Sequence, residues 1–459
     1  MRRRLLLKFS VQIVFIVAVL PANLAAQSVP SERPSQSELG MTLEQLQQMA
    51  LANNPTLGQA KAGVKAAEGR TRQAGLWPNP TVGYIGEEIR GGSFGGGQQG
   101  VFVQQSVILG GKLGLDQKIQ NEQGKQAEAE AEEQRLRVEN GVRVAFYESL
   151  AAQQMVEIRK KLGQIAKDAV ETTRQLFNVG QADQPDVLQA EVEADQADLA
   201  VIMSEQDQQR AWRVLAAVIG KAELPLQALA GNLEELPETN SDQMLQKILS
   251  NSPAVKIAQL GVTRAGAVLT RAHREVVPDL SVRAGYMNNL EQVSSVPPKA
   301  VGSEGFAEVG VNLRVFDRNQ GNIQAAKADQ ERATLEVQRV SLVLGQLAAP
   351  ILESYASSRA VADRYKARTL PNARQAYQLY LQRYHEGAVA YPQVLIAQRT
   401  LFQLETTYVA TLENVWINAA TLQGLLLTDG LDLPAAPGEL DRPVREINMP
   451  VTETPGGRQ

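Results

Sequence analysis

The side chains that do chemistry are scarce in this 459-residue chain, and their spacing assembles no reaction centre. There are two histidines, His273 and His385, and no cysteine, so the usual zinc or copper ligand sets cannot be built within one chain. Structural disulfides and thiolate sites are excluded for the same reason. Gly110-Gly111-Lys112-Leu113 lacks the spacing and the hydroxyl of a phosphate-binding loop, and neither G-x-S-x-G nor H-E-x-x-H occurs. Carboxylates are plentiful, but in runs such as Glu128, Glu130, Glu132 and Glu133 they read as a solvated helix face. A net charge of -4 gives no electrostatic reason to bind nucleic acid. The residues point away from an enzyme, and no cofactor or metal is expected.

What remains is recognition, and it falls at two matching places. Phe177-Asn178-Val179-Gly180-Gln181-Ala182-Asp183-Gln184-Pro185-Asp186-Val187-Leu188 aligns without a gap on Tyr384-His385-Glu386-Gly387-Ala388-Val389-Ala390-Tyr391-Pro392-Gln393-Val394-Leu395. Each stretch lies between long segments of helical composition, so each reads as the tip of a helical hairpin. Gly180 and Gly387 permit the reversal, because glycine takes positive φ at little cost. Val179, Asp183, Pro185, Asp186, Val187 and Leu188, with Val389, Tyr391, Pro392, Val394 and Leu395, then form candidate docking tips for a partner. Packing within the hairpin is the alternative. Pro371 lies inside the helix leading to the second tip and should remove a hydrogen bond and bend it. Tyr377, Tyr380 and Tyr384 follow on roughly one face, as helix packing or as a plug, which makes Pro371 and these tyrosines a candidate hinge and gate.

The elements that position the tips are duplicated. Asn53-Asn54-Pro55 matches Asn251-Ser252-Pro253, and Trp77-Pro78-Asn79-Pro80-Thr81-Val82 matches Val277-Pro278-Asp279-Leu280-Ser281-Val282. Val107 to Lys112 falls opposite Val315 to Gln320. Repeat 1 is assigned to 41–235, with strands at about 80–90 and 100–109 and helices at 112–178 and 186–219. Repeat 2 is assigned to 236–428, with strands at about 279–289 and 305–316 and helices at 319–384 and 392–427. Residues 1–26 read as a signal peptide, 27–40 as a linker and 429–459 as a disordered tail. No later run of apolar residues is long enough for a transmembrane helix.

The strands alternate with period two. Val309, Val311 and Leu313 are expected on one face, with Asn312 and Arg314 on the other; Gln105 breaks the apolar side of its strand. The loops Gly91 to Gly97 and Glu291 to Glu304 are expected to be solvated. Strands of about 9 to 11 residues suit either a water-soluble hairpin or a tilted membrane crossing. Four strands alone cannot close a membrane barrel, so membrane strands would require several chains. A helix over 112–178 would be about 100 Å long, more than a globular domain needs. Leu395, Phe402, Val409 and Trp416 recur every seven residues beside Leu401, Tyr408, Val415 and Leu422. Two adjacent heptad stripes imply neighbours on two sides, as in a ring of helices, rather than a lone hairpin.

Over about residues 40 to 430 these features resemble the TolC family of outer-membrane efflux proteins: the duplicated unit, the Asn-x-Pro near each start and both Gly-containing tips. Leu109-Gly110-Gly111-Lys112 and Val315-Phe316-Asp317-Arg318-Asn319-Gln320-Gly321 are most similar to its CzcC-like branch, associated with cation efflux. The resemblance implies a mainly α fold with a small β part. It implies a homotrimer whose helices form a periplasmic tunnel and whose strands pool into a twelve-stranded barrel among outer-membrane lipid. It also implies a periplasmic membrane-fusion adaptor and an inner-membrane transporter of the resistance-nodulation-division type as partners. Some relatives narrow the tunnel with aspartates before the second tip; here Pro371 to His385 holds no acid, and Asp168 and Glu171 are the substitutes available. A periplasmic coiled-coil adaptor without a membrane barrel is the alternative function.

Overall fold

The computed structural model describes residues 40–433 apart from 90–96, 239 and 295. The expected signal peptide, the linker before Gly40, the Gly-rich loop before Gly97 and the tail beyond 433 lie outside the described residues.

The described chain opens with α1 (Leu43–Asn53) and α2 (Pro55–Ala74). Thr42 and Gln45 form a reciprocal capping box at the start of α1. The break between the two helices follows from Asn54 and Pro55. Asn54 Oδ1 accepts the Thr56 N–H at 2.9 Å, while Pro55, which has no N–H, occupies the first turn where none is needed. Two strands follow, β1 (Thr81–Glu87) and β2 (Gln98–Val107), and then the hairpin of α3 (Lys112–Asn178) and α4 (Gln184–Ile219). Repeat 2 has the same order: α5 (Ser241–Asn251), α6 (Pro253–Arg274), β3 (Leu280–Val293), β4 (Lys299–Val311) and α7 (Gln320–Arg364). A π-helical turn (Tyr365–Thr369), α8 (Leu370–His385) and α9 (Tyr391–Gln423) complete it.

The strands form one antiparallel sheet in the order β1-β2-β3-β4. Its register places Val82, Tyr84, Val101, Val103, Val282, Tyr286, Val309 and Val311 on one face. The other face carries Gln104, Arg283, Glu308, Phe102 and Phe306. Phe102 lies over Gly83 of the adjacent strand, where an added Cβ would come within 2.6 Å of the ring. Phe306 covers Gly285 in the same way, so each ring shields a strip of bare backbone. The Arg283 guanidinium stacks 4.1 Å from the Phe102 ring centroid.

Several strand limits differ from the sequence expectation. Most of the loop expected at 291–304 is strand, because β3 runs on to Val293 and β4 begins at Lys299. The backbone pairing of the two strands continues to Val293 and Lys299, almost to Pro297-Pro298. β4 stops at Val311, so Asn312, Leu313 and Arg314 are outside the strand rather than on its two faces. Arg314 instead pairs with Glu275 at the base of the sheet. Gln105, the polar residue on the apolar side, donates to the Pro78 carbonyl at 2.8 Å, which satisfies its amide at the rim.

The main core lies where α3, α4, α7 and α9 pass the short helices and the segment between the repeats. Leu46, Val142, Phe146, Leu215, Ile248, Leu412 and Val415 are buried there. Trp212 donates to the Leu224 carbonyl at 2.9 Å and Trp416 to the Leu233 carbonyl at 2.8 Å, tying that segment to the long helices. The start of the expected tail is also fixed. The Gly430 carbonyl accepts from Asn54 and the Asp432 carbonyl from Gln134, and just before them the Thr428 carbonyl accepts from Arg137. A proline-rich composition does not reveal such backbone acceptors.

Pro371 interrupts the helical ladder, as expected, but the interruption takes the form of the π turn just before it. The Leu370 N–H reaches back to the Tyr365 carbonyl, one residue further than in an α-helix. Pro350, which the sequence reading passed over, also lies inside α7, and the helix continues through it.

Candidate functional site

The two tips are built alike. After α3 the Gly180 N–H donates to the Phe177 carbonyl at 3.0 Å, and the Gln181 N–H to the Leu176 carbonyl at 2.8 Å. After α8 the Gly387 N–H donates to the Tyr384 carbonyl at 3.0 Å, and the Ala388 N–H to the Arg383 carbonyl at 2.9 Å. These bonds require a left-handed residue, and Gly180 and Gly387 supply φ of 77° and 67°. Asp183, with its N–H directed at the Asp186 carboxylate, and Pro185 restart α4; Pro392 in the first turn restarts α9.

The predicted tip residues divide by exposure. Val179 is 69% and Leu188 54% exposed, and Gly180, Asp183, Pro185, Gly387 and Pro392 are also at the surface. Asp186, Val187 and Val389 are half-buried. Tyr391, Val394 and Leu395 are buried in a small second core together with Ala166 and Val170 of α3, Ala190 of α4, and Tyr377 and Tyr384 of α8. That core joins the lower ends of both hairpins, so the tips are held side by side. Of the three tyrosines read as a gate, Tyr377 and Tyr384 lie in this core and Tyr380 faces outward. The Tyr384 and Tyr391 rings meet at 5.6 Å. Burial pushes the Tyr377, Tyr384 and Tyr391 phenols above their ordinary range. Pro371 is exposed beside the π turn. Asp168 and Glu171 are exposed on α3, where they accept from Gln164 at 2.8 Å and from Gln175 at 3.0 Å.

Sequence reasoning missed the ionic ties around this core. Arg399 of α9 pairs with Glu193 of α4 and so links the two hairpins. Arg174 pairs with Glu191 at 2.6 Å within the first hairpin, and Arg374 with Glu405 at 2.9 Å within the second. Nothing in the spacing of charges on such charged helices singles these pairs out. Also missed was a network at the base of the sheet. There Lys112, 2% exposed, meets Asp279 at 2.8 Å, and Arg271 meets Asp116 at 2.7 Å. Among the described residues no cluster of histidine and carboxylate side chains could hold a metal ion.

A hairpin-tipped helical wall continuous with an antiparallel sheet, apolar on one face, is the build of an outer-membrane channel subunit. The chain belongs to the outer membrane efflux protein family, whose profile matches residues 46–221 and 244–426. It is 28% identical to the cobalt-zinc-cadmium resistance protein CzcC of Cupriavidus metallidurans over 431 residues, which is 92% of this chain and 99% of that one. It is also 28% identical to protein CyaE of Bordetella pertussis over 440 residues, 91% of this chain and 88% of that one. The fold is similar to the crystal structure of the outer membrane protein VceC from Vibrio cholerae, with a TM-score of 0.67 at 19% identity, covering 84% of this chain and 96% of that one. The protein is an efflux channel component of the outer membrane that extends into the periplasm, and the adaptor alternative falls away.

Proposed function

We propose that three copies of this chain form the exit duct of a tripartite efflux pump, conducting metal cations passively out of the cell. The observation that carries this reading is the sheet. Among the described residues its edge strands β1 and β4 have no outer partner, and its apolar face suits lipid. Open edges are not tolerated in a bilayer, so the sheet must close on further copies. Three four-stranded sheets give twelve strands, an even number within the range of such barrels.

The helices support the same closure. α4 exposes Leu188, Val192, Leu199 and Met203 along one stripe, and α7 exposes Leu335 and Leu342. By length and composition alone, the helix Gln320–His385 would pass for a membrane span despite having no long apolar run. A seam against a neighbouring copy accounts for that character at the spacing of a helical stripe. The exposed tips would meet a periplasmic membrane-fusion adaptor and, through it, an inner-membrane transporter of the resistance-nodulation-division type. The cation class follows the relative named for cobalt, zinc and cadmium resistance. The wall itself needs no ligand set if the pump selects.

The test is cellular accumulation of zinc, cobalt and cadmium in a strain lacking the gene. Re-expression of the chain should lower accumulation, and only when adaptor and pump are present. Unchanged metal content together with unchanged tolerance of other toxic solutes would contradict the duct.

A further inference from the structure

The duplicated unit provides a template for the contact between copies. Within the chain, repeat 1 meets repeat 2 where β2 pairs with β3 and where α3 packs against α6. In a closed ring the next junction joins repeat 2 of one copy to repeat 1 of its neighbour, so α7 takes the place of α3 and α2 that of α6. The internal junction is keyed by two ion pairs one helical turn apart. Lys112 of α3 bonds Asp279, and Asp116 of α3 bonds Arg271.

The residues at the corresponding positions can be read off the repeat. Lys112 and Asp116 follow a left-handed helix cap at Gly111, with φ 69°, and Gln320 and Gln324 follow one at Asn319, with φ 63°. Asp279 follows Pro278 as Asn79 follows Pro78. Arg271 stands at the same distance from Pro253 as Gln73 does from Pro55. Every charged member of the internal key is therefore replaced by an amide, and all four amides are exposed in the single chain. The Gln320 carbonyl oxygen already accepts the Arg318 N–H at 2.9 Å, which leaves its NH₂ free to donate across the junction.

We infer that Gln320 and Gln324 of one copy pair with Asn79 and Gln73 of the next, an amide key between copies that stands where the ionic key stands inside each chain. This inference rests on the trimeric duct proposed above. The physical basis is the division of charge. Lys112 and Asp116 are satisfied inside each chain by Asp279 and Arg271, so a neighbouring copy meets no unpaired charge from them. Amides facing amides can both donate and accept, and they leave no charge stranded between copies.

Two experiments on the full-length protein test the key. In the first, Gln320→Lys is combined with Asn79→Asp or with Asn79→Lys, and the temperature at which the trimer dissociates is read on gels. The opposite-charge pair should dissociate several degrees above the like-charge pair, and each single variant should fall below the parent. Equal dissociation temperatures for the two double variants would overturn the inference. In the second, the absence of cysteine allows Gln324→Cys and Gln73→Cys to be introduced together and treated with a short bismaleimide. Covalent dimers and trimers are expected from the double variant and none from either single variant. Native trimers that stay uncrosslinked would overturn the key while leaving the duct intact. A protein that is monomeric in detergent would overturn both.

Discussion

At the scale of single residues the tips were the most legible part of the sequence. A left-handed turn requires glycine whatever surrounds it, and Gly180 and Gly387 could be placed from spacing alone. An added Cβ at Gly180 meets no atom within 4 Å, so Gly180→Ala suffers only backbone strain, about 1–2 kcal/mol, and should still fold. Gly180→Pro forbids the positive φ and removes the bond to the Phe177 carbonyl, and should abolish export. Metal accumulation measured beside trimer abundance in outer-membrane fractions separates the two variants; equal export by both would refute the tip assignment. Less legible was Glu413, whose environment is made by three helices. Burial, and then the neighbouring Glu148 carboxylate, push Glu413 up to about 7, and Arg210 opposes the shift. The folded protein therefore holds this proton at pH values where the unfolded chain releases it. Its contribution to stability is present below about pH 4.5 and declines as the pH rises to about 7. Glu413→Gln should thus raise thermal stability most at pH 8, hardly change it at pH 4, and flatten the profile between. A gain independent of pH would contradict this account.

At the scale of elements, composition revealed the long helices and periodicity the strands, but not where they stop. The run from Glu291 to Glu304 looked like a loop because it mixes polar and apolar residues, yet the partner strand continues the pairing. The charge network at the sheet base was hidden because its members are far apart in sequence, Lys112 from Asp279 and Arg314 from Glu275. Val101, opposite both Tyr84 and Tyr286, is central on the apolar face. Val101→Arg should cost about 2–4 kcal/mol near the bilayer midplane, whereas Gln98→Arg on the inward face should cost far less. Equal loss of heat-stable trimer in both variants would count against membrane strands. The π turn before Pro371 makes a second element-scale prediction. Helices deform where the ladder is already broken, and the prediction is that this turn hinges the lower end of α8. Pro371→Ala restores an N–H at that point and should let the helix straighten, raising the resting conductance of trimers in planar bilayers. No increase would place the closure elsewhere.

At the scale of the whole molecule, the single chain is legible mainly through what it leaves unfinished. Among the described residues two strand edges have no partner, and apolar stripes on α4 and α7 face outward. Helices of about 100 Å exceed the needs of any one core. The sequence implied this incompleteness through its duplication, because each repeat can satisfy only one side of itself. It could not identify the residues that meet between copies, since those depend on register rather than composition. Closure of three chains into one duct is the central claim, and it is tested most directly by single-channel recording of protein purified in detergent from the outer-membrane fraction. The account predicts discrete, uniform conductance steps from particles with the mass of three chains. It is contradicted if such particles insert without conducting, or if the protein is recovered as a water-soluble monomer without detergent.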